Sequence, residues 1–420
     1  MDKILVHGGY PLFGKIKISG SKNSALPILA ATLLTKELCV LRHVPDLSDT
    51  NYMLQILMYL GAQVERASGT VSVTAEKVES VAPYDVVRRM RASVCVLGPL
   101  LARCREATVS LPGGCVNGDR PIDLHLRGFE ALGAAIRVEG GNVRMFTNQL
   151  KGAVINLRGK WGPTVLGTDN VMMAAVLADG TTVIEGAASE PEVVDLANFL
   201  NKMGAKIEGA GTGRLIIEGV KELHGAEHDI IPDRIEAGTF LVAGAVCGKG
   251  VTVNRVVPQH VTAVTDALTQ AGFHIATTEN SVTVTPNGAS QPLKISTEPY
   301  PGFPTDMQAQ MCALLSTTEG KSIITENIFP QRYMHLAEMT RMGARVQIEG
   351  ATALITGVEK LTGAPVMASD LRASAALVLA GLKAEGTTEI SRVYHIDRGY
   401  EHLDEKLSEL GAHIERVKAD

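Results

Sequence analysis

A chain of 420 residues is longer than the roughly 250–300 residues at which a single hydrophobic core stops growing, so two domains are expected. The composition is globular and rich in small residues: 45% apolar with few aromatics, 42 glycines and 14 methionines. A formal charge of −5 leaves no electrostatic footprint for nucleic acid, and six cysteines without a CxxC pair signal neither a zinc ribbon nor a disulfide framework.

The chain opens on Met1-Asp2-Lys3-Ile4, which has no basic segment leading into an apolar one, so a cytoplasmic protein is expected. The segment Lys3-Ile4-Leu5-Val6-His7 alternates as a strand does. Residues 24–34 are apolar on all sides and closed by Lys36 and Glu37. That is far short of the ~20 residues of a membrane span and reads as a buried helix. Met53, Ile56, Leu57 and Leu60 then follow the i, i+3, i+4, i+7 spacing of an amphipathic helix. Gly61 fits its C′ position, where a left-handed residue ends the helix. Two short alternating segments follow, 63–65 and 71–74, joined through Ser68-Gly69.

This order recurs. The phrases Leu60-Gly61-Ala62, Leu132-Gly133-Ala134, Met203-Gly204-Ala205, Ala271-Gly272-Phe273, Met342-Gly343-Ala344 and Leu410-Gly411-Ala412 place their glycines 72, 71, 68, 71 and 68 residues apart. A period of about 70 exceeds that of the usual solenoids and suits a whole supersecondary unit. Each unit is expected to hold one buried helix, one half-exposed helix and about four strands. The buried helices are expected over 24–34, 92–102, 171–178, 237–247, 307–315 and 373–382. In the third unit Gly209-Ala210-Gly211-Thr212-Gly213 lies between strand segments with no helix opening after it. That is a hairpin rather than a nucleotide loop.

Six units divide into three and three. The expected fold is α/β, with two inside-out, prism-like barrel domains, each of three units around buried helices. The expected domains are 22–229, and 1–21 with 230–420. The sixth unit ends soon after Ile414-Glu415-Arg416-Val417 without a return strand, so the N-terminal strand is expected to close the second domain.

Polar residues stand at the starts of the buried helices: Lys22-Asn23, Arg91 with Ser93, Thr168-Asp169-Asn170, Asp233-Arg234, Thr305-Asp306 and Asp370-Leu371-Arg372. Capping accounts for the short ones. It does not account for Lys22, Arg91 and Arg372, because a cation there opposes the helix dipole. Either these are solvated surface cations or they share an anion. Arg91-Ala92-Ser93 and Arg372-Ala373-Ser374 look like one device in both halves. Asp306 and Asp370 are candidates for acid–base work, with capping as the alternative.

Cys115 stands in Leu111-Pro112-Gly113-Gly114-Cys115-Val116-Asn117-Gly118-Asp119-Arg120, a deformable loop. The loop alone fits a thiolate favoured by Arg120 and equally a spare surface thiol. Cys39, Cys95, Cys247 and Cys312 lie in apolar runs and are expected in the core; Cys104, between arginines, is expected at the surface. His224 and His228 lack a third ligand and are expected on a surface loop. The trio Arg88, Arg89 and Arg91 has no aromatic interleaving, against nucleic-acid binding.

Taken together, these residues resemble the UDP-N-acetylglucosamine 1-carboxyvinyltransferases, within the enolpyruvyl transferase family. The resemblance runs from Ser21-Lys22-Asn23-Ser24-Ala25-Leu26-Pro27 and Met90-Arg91-Ala92-Ser93 through the Cys115 loop to Leu124. It continues in Glu190-Pro191-Glu192-Val193-Val194-Asp195, Pro232-Asp233-Arg234-Ile235-Glu236 and Phe303-Pro304-Thr305-Asp306-Met307. Asp370-Leu371-Arg372-Ala373-Ser374 and His395-Ile396-Asp397-Arg398-Gly399-Tyr400 complete it.

The resemblance implies transfer of enolpyruvyl from phosphoenolpyruvate to the 3′-hydroxyl of UDP-N-acetylglucosamine in a cleft between the domains, with no metal or cofactor. Lys22, Arg120 and Arg398 would hold the phosphate, and Arg332 and Arg372 the carboxylate. Asp306 would take the hydroxyl proton, Cys115 would protonate the methylene carbon, and Asn23 and Asp370 would complete the centre. Arg91, Arg120, Pro121, Ile122, Asp123, Leu124 and Ile328 would contact the UDP-sugar. Lys160, Thr164 and Val165 would do so in a segment, Trp161-Gly162-Pro163-Thr164-Val165-Leu166-Gly167-Thr168, that departs from the family pattern. An uncompensated cation cluster is expected to keep the empty cleft open. The rival readings are the shikimate-pathway enolpyruvyl transferase, with shikimate 3-phosphate as acceptor, and a non-catalytic repeat scaffold.

Overall fold

The computed structural model describes residues 2–111 and 122–418. The loop carrying Cys115, Arg120 and Pro121 lies outside the described residues. The chain forms two compact units that divide between Ser19 and Gly20 and between Ile231 and Pro232, two residues from the positions 21/22 and 229/230 read from the sequence. Each unit has its own hydrophobic core.

All six glycine phrases end an amphipathic helix in the same way. Gly61, Gly133, Gly204, Gly272, Gly343 and Gly411 have φ between +94° and +99°. In each, the glycine N–H returns to a carbonyl three residues back and the next residue's N–H to one five back. For the first these are Gly61 N to Met58 O at 3.1 Å and Ala62 N to Leu57 O at 3.0 Å. This is the Schellman arrangement, which satisfies the last carbonyls of the helix. The return hairpin of the first unit pairs Gln63–Ala67 with Thr70–Thr74. It turns on Ser68 and Gly69, both at positive φ.

Among the described residues the strands form three four-stranded sheets in each unit, with a two-stranded hairpin besides in the unit 20–231. Each four-stranded sheet has one parallel edge strand and an antiparallel remainder. The strand Asp2–His7 pairs antiparallel with both Thr387–Ser391 and His413–Lys418, in the unit made of the C-terminal half. The strand Leu12–Lys17 also joins that unit, parallel to Gly248–Asn254. In the other unit, Glu227–Asp229 completes the first sheet, parallel to Cys39–Arg42. In each unit a strand distant in sequence thus completes a sheet.

Inside each unit three apolar helices pack together beneath the sheets: Lys22–Ala31, Leu97–Cys104 and Val165–Ala175 in one, Arg234–Cys247, Gln308–Leu315 and Leu371–Lys383 in the other. Their starts differ from the expectation by more than three residues in two places. The third helix begins at Val165, where Thr164 caps it by accepting from Gly167 N at 3.2 Å. Thr168, Asp169 and Asn170 therefore lie one turn inside it. Arg91 opens a 3-10 segment, Arg91–Val96, that becomes α-helix at Leu97. Ser93 donates to Val87 O at 3.0 Å, whereas Ser374 bonds to the Asp370 carbonyl of its own helix. The two Arg-Ala-Ser phrases are not one device.

Cys39, Cys95 and Cys312 are buried, as expected, but Cys247 is only partly so, and Cys104 is half-buried rather than on the surface. His228 also departs from the surface reading. It lies in the strand Glu227–Asp229 with 4% exposure. Among the described residues no helix is long and apolar enough to cross a membrane.

Candidate active site

In the unit 20–231, Ser21 caps the helix Lys22–Ala31 by accepting from Ser24 N at 3.3 Å. Lys22 is therefore the first helical residue, and its Nζ is 2.7 Å from Asp49 Oδ2, with both side chains under a tenth exposed. A solvated surface cation is excluded, and so is an uncompensated one. A lysine at a buried helix start is costly without a counter-ion, and Asp49, from the next helix, supplies it.

The same helix is fastened through Asp195. That carboxylate accepts from Ser24 Oγ, from His228 Nε2 at 2.9 Å and from Ile231 N at 3.3 Å. The half-buried Asn23 follows Lys22 on this helix.

Arg91 is half-buried beside His125. Burial, reinforced by Arg91, holds the His125 imidazole down at about 4, so it is neutral. Asn170 donates to His125 Nδ1 at 3.0 Å and to Val94 O at 2.9 Å, and accepts from Gly98 N at 2.9 Å. Those bonds hold the bend between the 3-10 segment and the helix that follows Arg91. Ile122, Asp123 and Leu124 lead into the helix Asp123–Ala131, with Ile122 buried and Asp123 exposed.

Lys160 and Trp161 form the two-residue turn of a hairpin in which Arg158 faces Pro163 and Gly159 faces Gly162. Lys160 Nζ lies 4.6 Å from the indole centroid. Thr164 is committed to capping, and Val165 follows it. Asp169, fully buried in that helix, is pushed well above the usual carboxylate range by burial and then by Glu190 and Glu192.

In the unit of the C-terminal half, Asp306 sits in the 3-10 turn Thr305–Met307. Arg332 Nη1 donates to its Oδ1 at 2.7 Å and Arg372 Nε to its Oδ2 at 3.3 Å. The arginines are 6% and 1% exposed, whereas the Asp306 side chain is 26% exposed. Burial works against both guanidinium charges. Tyr400, Asp306 and Asp233 outweigh it at Arg372, and Asp306 and Asp370 at Arg332, so both stay firmly protonated. Arg372 Nη2 is buried without a hydrogen-bond partner among the described residues.

Asp370 caps its helix, accepting from Arg372 N at 2.8 Å and Ala373 N at 2.9 Å. Arg398 ends the 3-10 segment Val393–Arg398, half-buried. Ile328 N is held by Glu326 at 2.9 Å. A cavity of ≈ 320 Å³ beside Arg234, His260 and Tyr300 shares the loop that leads through Pro304 into Asp306. No group of three or more His, Cys, Asp or Glu among the described residues is placed to hold a metal.

The structure thus brings Asp306, Arg332, Arg372 and Asp370 together in one unit, and ties Lys22 to Asp49 in the other. Asp49 and Glu326 were not singled out from the sequence, and Asn170 was read there only as a helix cap. Only Glu326 carries a signal, as a carboxylate directly after the half-buried strand Lys321–Thr325.

The model of the family described as EPSP synthase (3-phosphoshikimate 1-carboxyvinyltransferase) matches residues 6–407. The chain is 61% identical to the UDP-N-acetylglucosamine 1-carboxyvinyltransferase of Akkermansia muciniphila, over 100% of both chains. It is 60% identical to that of Methylacidiphilum infernorum, over 99% of both. The chain belongs to the UDP-N-acetylglucosamine 1-carboxyvinyltransferase family. Among solved structures it is similar to the enolpyruvyl transferase NikO from Streptomyces tendae, with TM-score 0.90 and 24% identity over 100% of this chain and 99% of that one. An EPSP synthase from Acinetobacter baumannii matches with TM-score 0.77 and 17% identity over the full length of both. These two likenesses establish the shared mixed α/β fold.

Proposed function

We propose that this chain transfers the enolpyruvyl group of phosphoenolpyruvate to the 3′-hydroxyl of UDP-N-acetylglucosamine and releases phosphate, the first committed step of peptidoglycan synthesis in the cytoplasm. The observation that carries the reading is Asp306 held by two buried arginines, one of which keeps a buried N–H group unpartnered. A partly exposed carboxylate fixed in this way is placed to accept a hydroxyl proton. An orphaned guanidinium N–H is a strong donor for an incoming carboxylate. The full-length identity to curated proteins named for this reaction supports the acceptor.

Asp306 takes the hydroxyl proton as the oxygen adds to C2 of phosphoenolpyruvate, and Cys115 delivers a proton to C3. Loss of a C3 proton and of phosphate then restores the double bond. Arg332 and Arg372 hold the carboxylate of the donor, and Lys22, Arg120 and Arg398 its phosphate. Asn23 and Asp370 complete the centre. Arg91, Pro121, Ile122, Asp123, Leu124, Lys160, Thr164, Val165 and Ile328 contact the UDP-sugar. Each unit is an inside-out α/β barrel, a reading supported by the three sheets around three buried helices.

The test is phosphate release from phosphoenolpyruvate with UDP-N-acetylglucosamine as acceptor. Release with shikimate 3-phosphate instead would transfer the assignment to the shikimate-pathway enzyme, and release with neither would leave the scaffold reading. Cys115→Asp is expected to keep activity and lose fosfomycin sensitivity, since a carboxylic acid donates a proton but attacks an epoxide poorly. Full sensitivity in that variant overturns the role of Cys115.

A further inference from the structure

Glu326 is completely buried and lies next to the reacting cluster without touching it. Its Oε1 accepts from Thr297 Oγ1 at 2.7 Å, Ile328 N at 2.9 Å and Phe329 N at 3.0 Å. Its Oε2 accepts from Thr305 Oγ1 at 2.9 Å. A carboxylate has only lone pairs to offer, so Thr305 must spend its one proton on Oε2. Its oxygen is then left as an acceptor, and Arg332 Nη1 donates to it at 3.2 Å. The same Nη1 donates to Asp306 Oδ1 at 2.7 Å. One buried carboxylate thereby sets the polarity of a hydroxyl, and the hydroxyl sets the direction of a guanidinium.

We propose that Glu326, acting through the Thr305 hydroxyl, is a positioning residue that aims Arg332 at Asp306. This rests on the reading of Asp306 and Arg332 as parts of the reaction centre. Glu326 touches no reacting atom. Its bonds to Ile328 and Phe329 additionally pin the turn that leads to Arg332, so both ends of the arginine's support depend on one side chain. A fully satisfied buried network of this kind rigidifies the groups it holds.

Two substitutions separate aiming from bulk stability. Thr305→Val keeps shape and removes the hydroxyl, leaving the turn contacts of Glu326 in place. Loss of hydrogen bonds to charged groups is worth roughly 10–100-fold. That loss is expected in kcat and in the KM for phosphoenolpyruvate, with little change in the KM for UDP-N-acetylglucosamine. Thr305→Ser should recover most of it. The Arg332 side-chain NεH signal in the unliganded protein gives a readout that needs no activity. It should broaden or shift in Thr305→Val and Glu326→Gln and return in Thr305→Ser. A wild-type protein that releases no phosphate would overturn the proposed function while the Arg332 signal still tests the aiming. An unmoved Arg332 signal, wild-type kinetics in Thr305→Val, or Thr305→Ser as impaired as Thr305→Val would each overturn the positioning role.

Discussion

Lys22 and Asp49 form an ion pair of 2.7 Å with side chains 7% and 2% exposed. A charge at a buried helix start is thus held ready by a counter-ion rather than by water. Breaking such a pair from one side leaves a buried charge and typically destabilises by about 3–5 kcal/mol. Asp49→Asn should therefore lower the stability of the unliganded protein by that order. It should also make inorganic phosphate a better stabiliser than it is for the wild type, because an added anion then replaces the lost carboxylate. Urea unfolding with and without phosphate measures both terms. Equal phosphate stabilisation in the two proteins would show that Lys22 does not face the anion.

Asp306 accepts from two buried arginines and is the partly exposed member of the trio. Asp306→Asn should lower kcat by roughly 10²–10⁴-fold, the usual range for a lost general base. The amide keeps the shape, so binding of UDP-N-acetylglucosamine by calorimetry should persist. Wild-type turnover in this variant would remove Asp306 from the proton path.

Local features of the fold were legible because a short stretch of chain decides them. A glycine that must take a positive φ stands out wherever it ends an amphipathic helix, and all six do so here. An unpartnered N-terminal strand was equally visible. What stayed hidden depends on partners distant in the chain. Asp49 meets Lys22 from another helix, and Asp195 reaches Ser24 and His228 across the unit. The third buried helix reads late from the sequence because the unbroken apolar run begins at Val171, whereas the Thr164 cap begins the helix about a turn and a half earlier. Asn170 looked like a cap for the same reason. Its actual partners, Gly98, Val94 and His125, come from two other segments that no spacing rule connects.

The glycine phrases also allow a clean stability comparison. Gly343 has φ +96°, and a Cβ built there meets nothing within 4 Å. Gly343→Ala should cost only the left-handed backbone term, about 1–2 kcal/mol. At Gly61 the same Cβ would lie 2.8 Å from the Lys77 carbonyl oxygen. Gly61→Ala should therefore cost clearly more. Chemical denaturation of the two variants tests the difference, and equal losses would mean that the bend carrying Lys77 yields freely.

Burial of His125 and His335 gives the protein a defined acid sensitivity. Both imidazoles are lowered from 6.5 to about 4, chiefly by desolvation; Arg91 adds to it at His125, and at His335 Arg332 adds while Asp370 opposes. Above pH 6.5 both are neutral folded or unfolded, and they contribute no slope. As pH falls from 6.5 towards 4 the unfolded chain takes up protons that the folded one refuses, so stability drops across that window. The full loss is on the order of 3 kcal/mol for each histidine. His125→Asn keeps an acceptor for Asn170 and removes the titration, so urea unfolding between pH 7 and pH 4.5 should show a shallower fall. A variant with the wild-type slope would mean that His125 does not stay neutral in the folded protein.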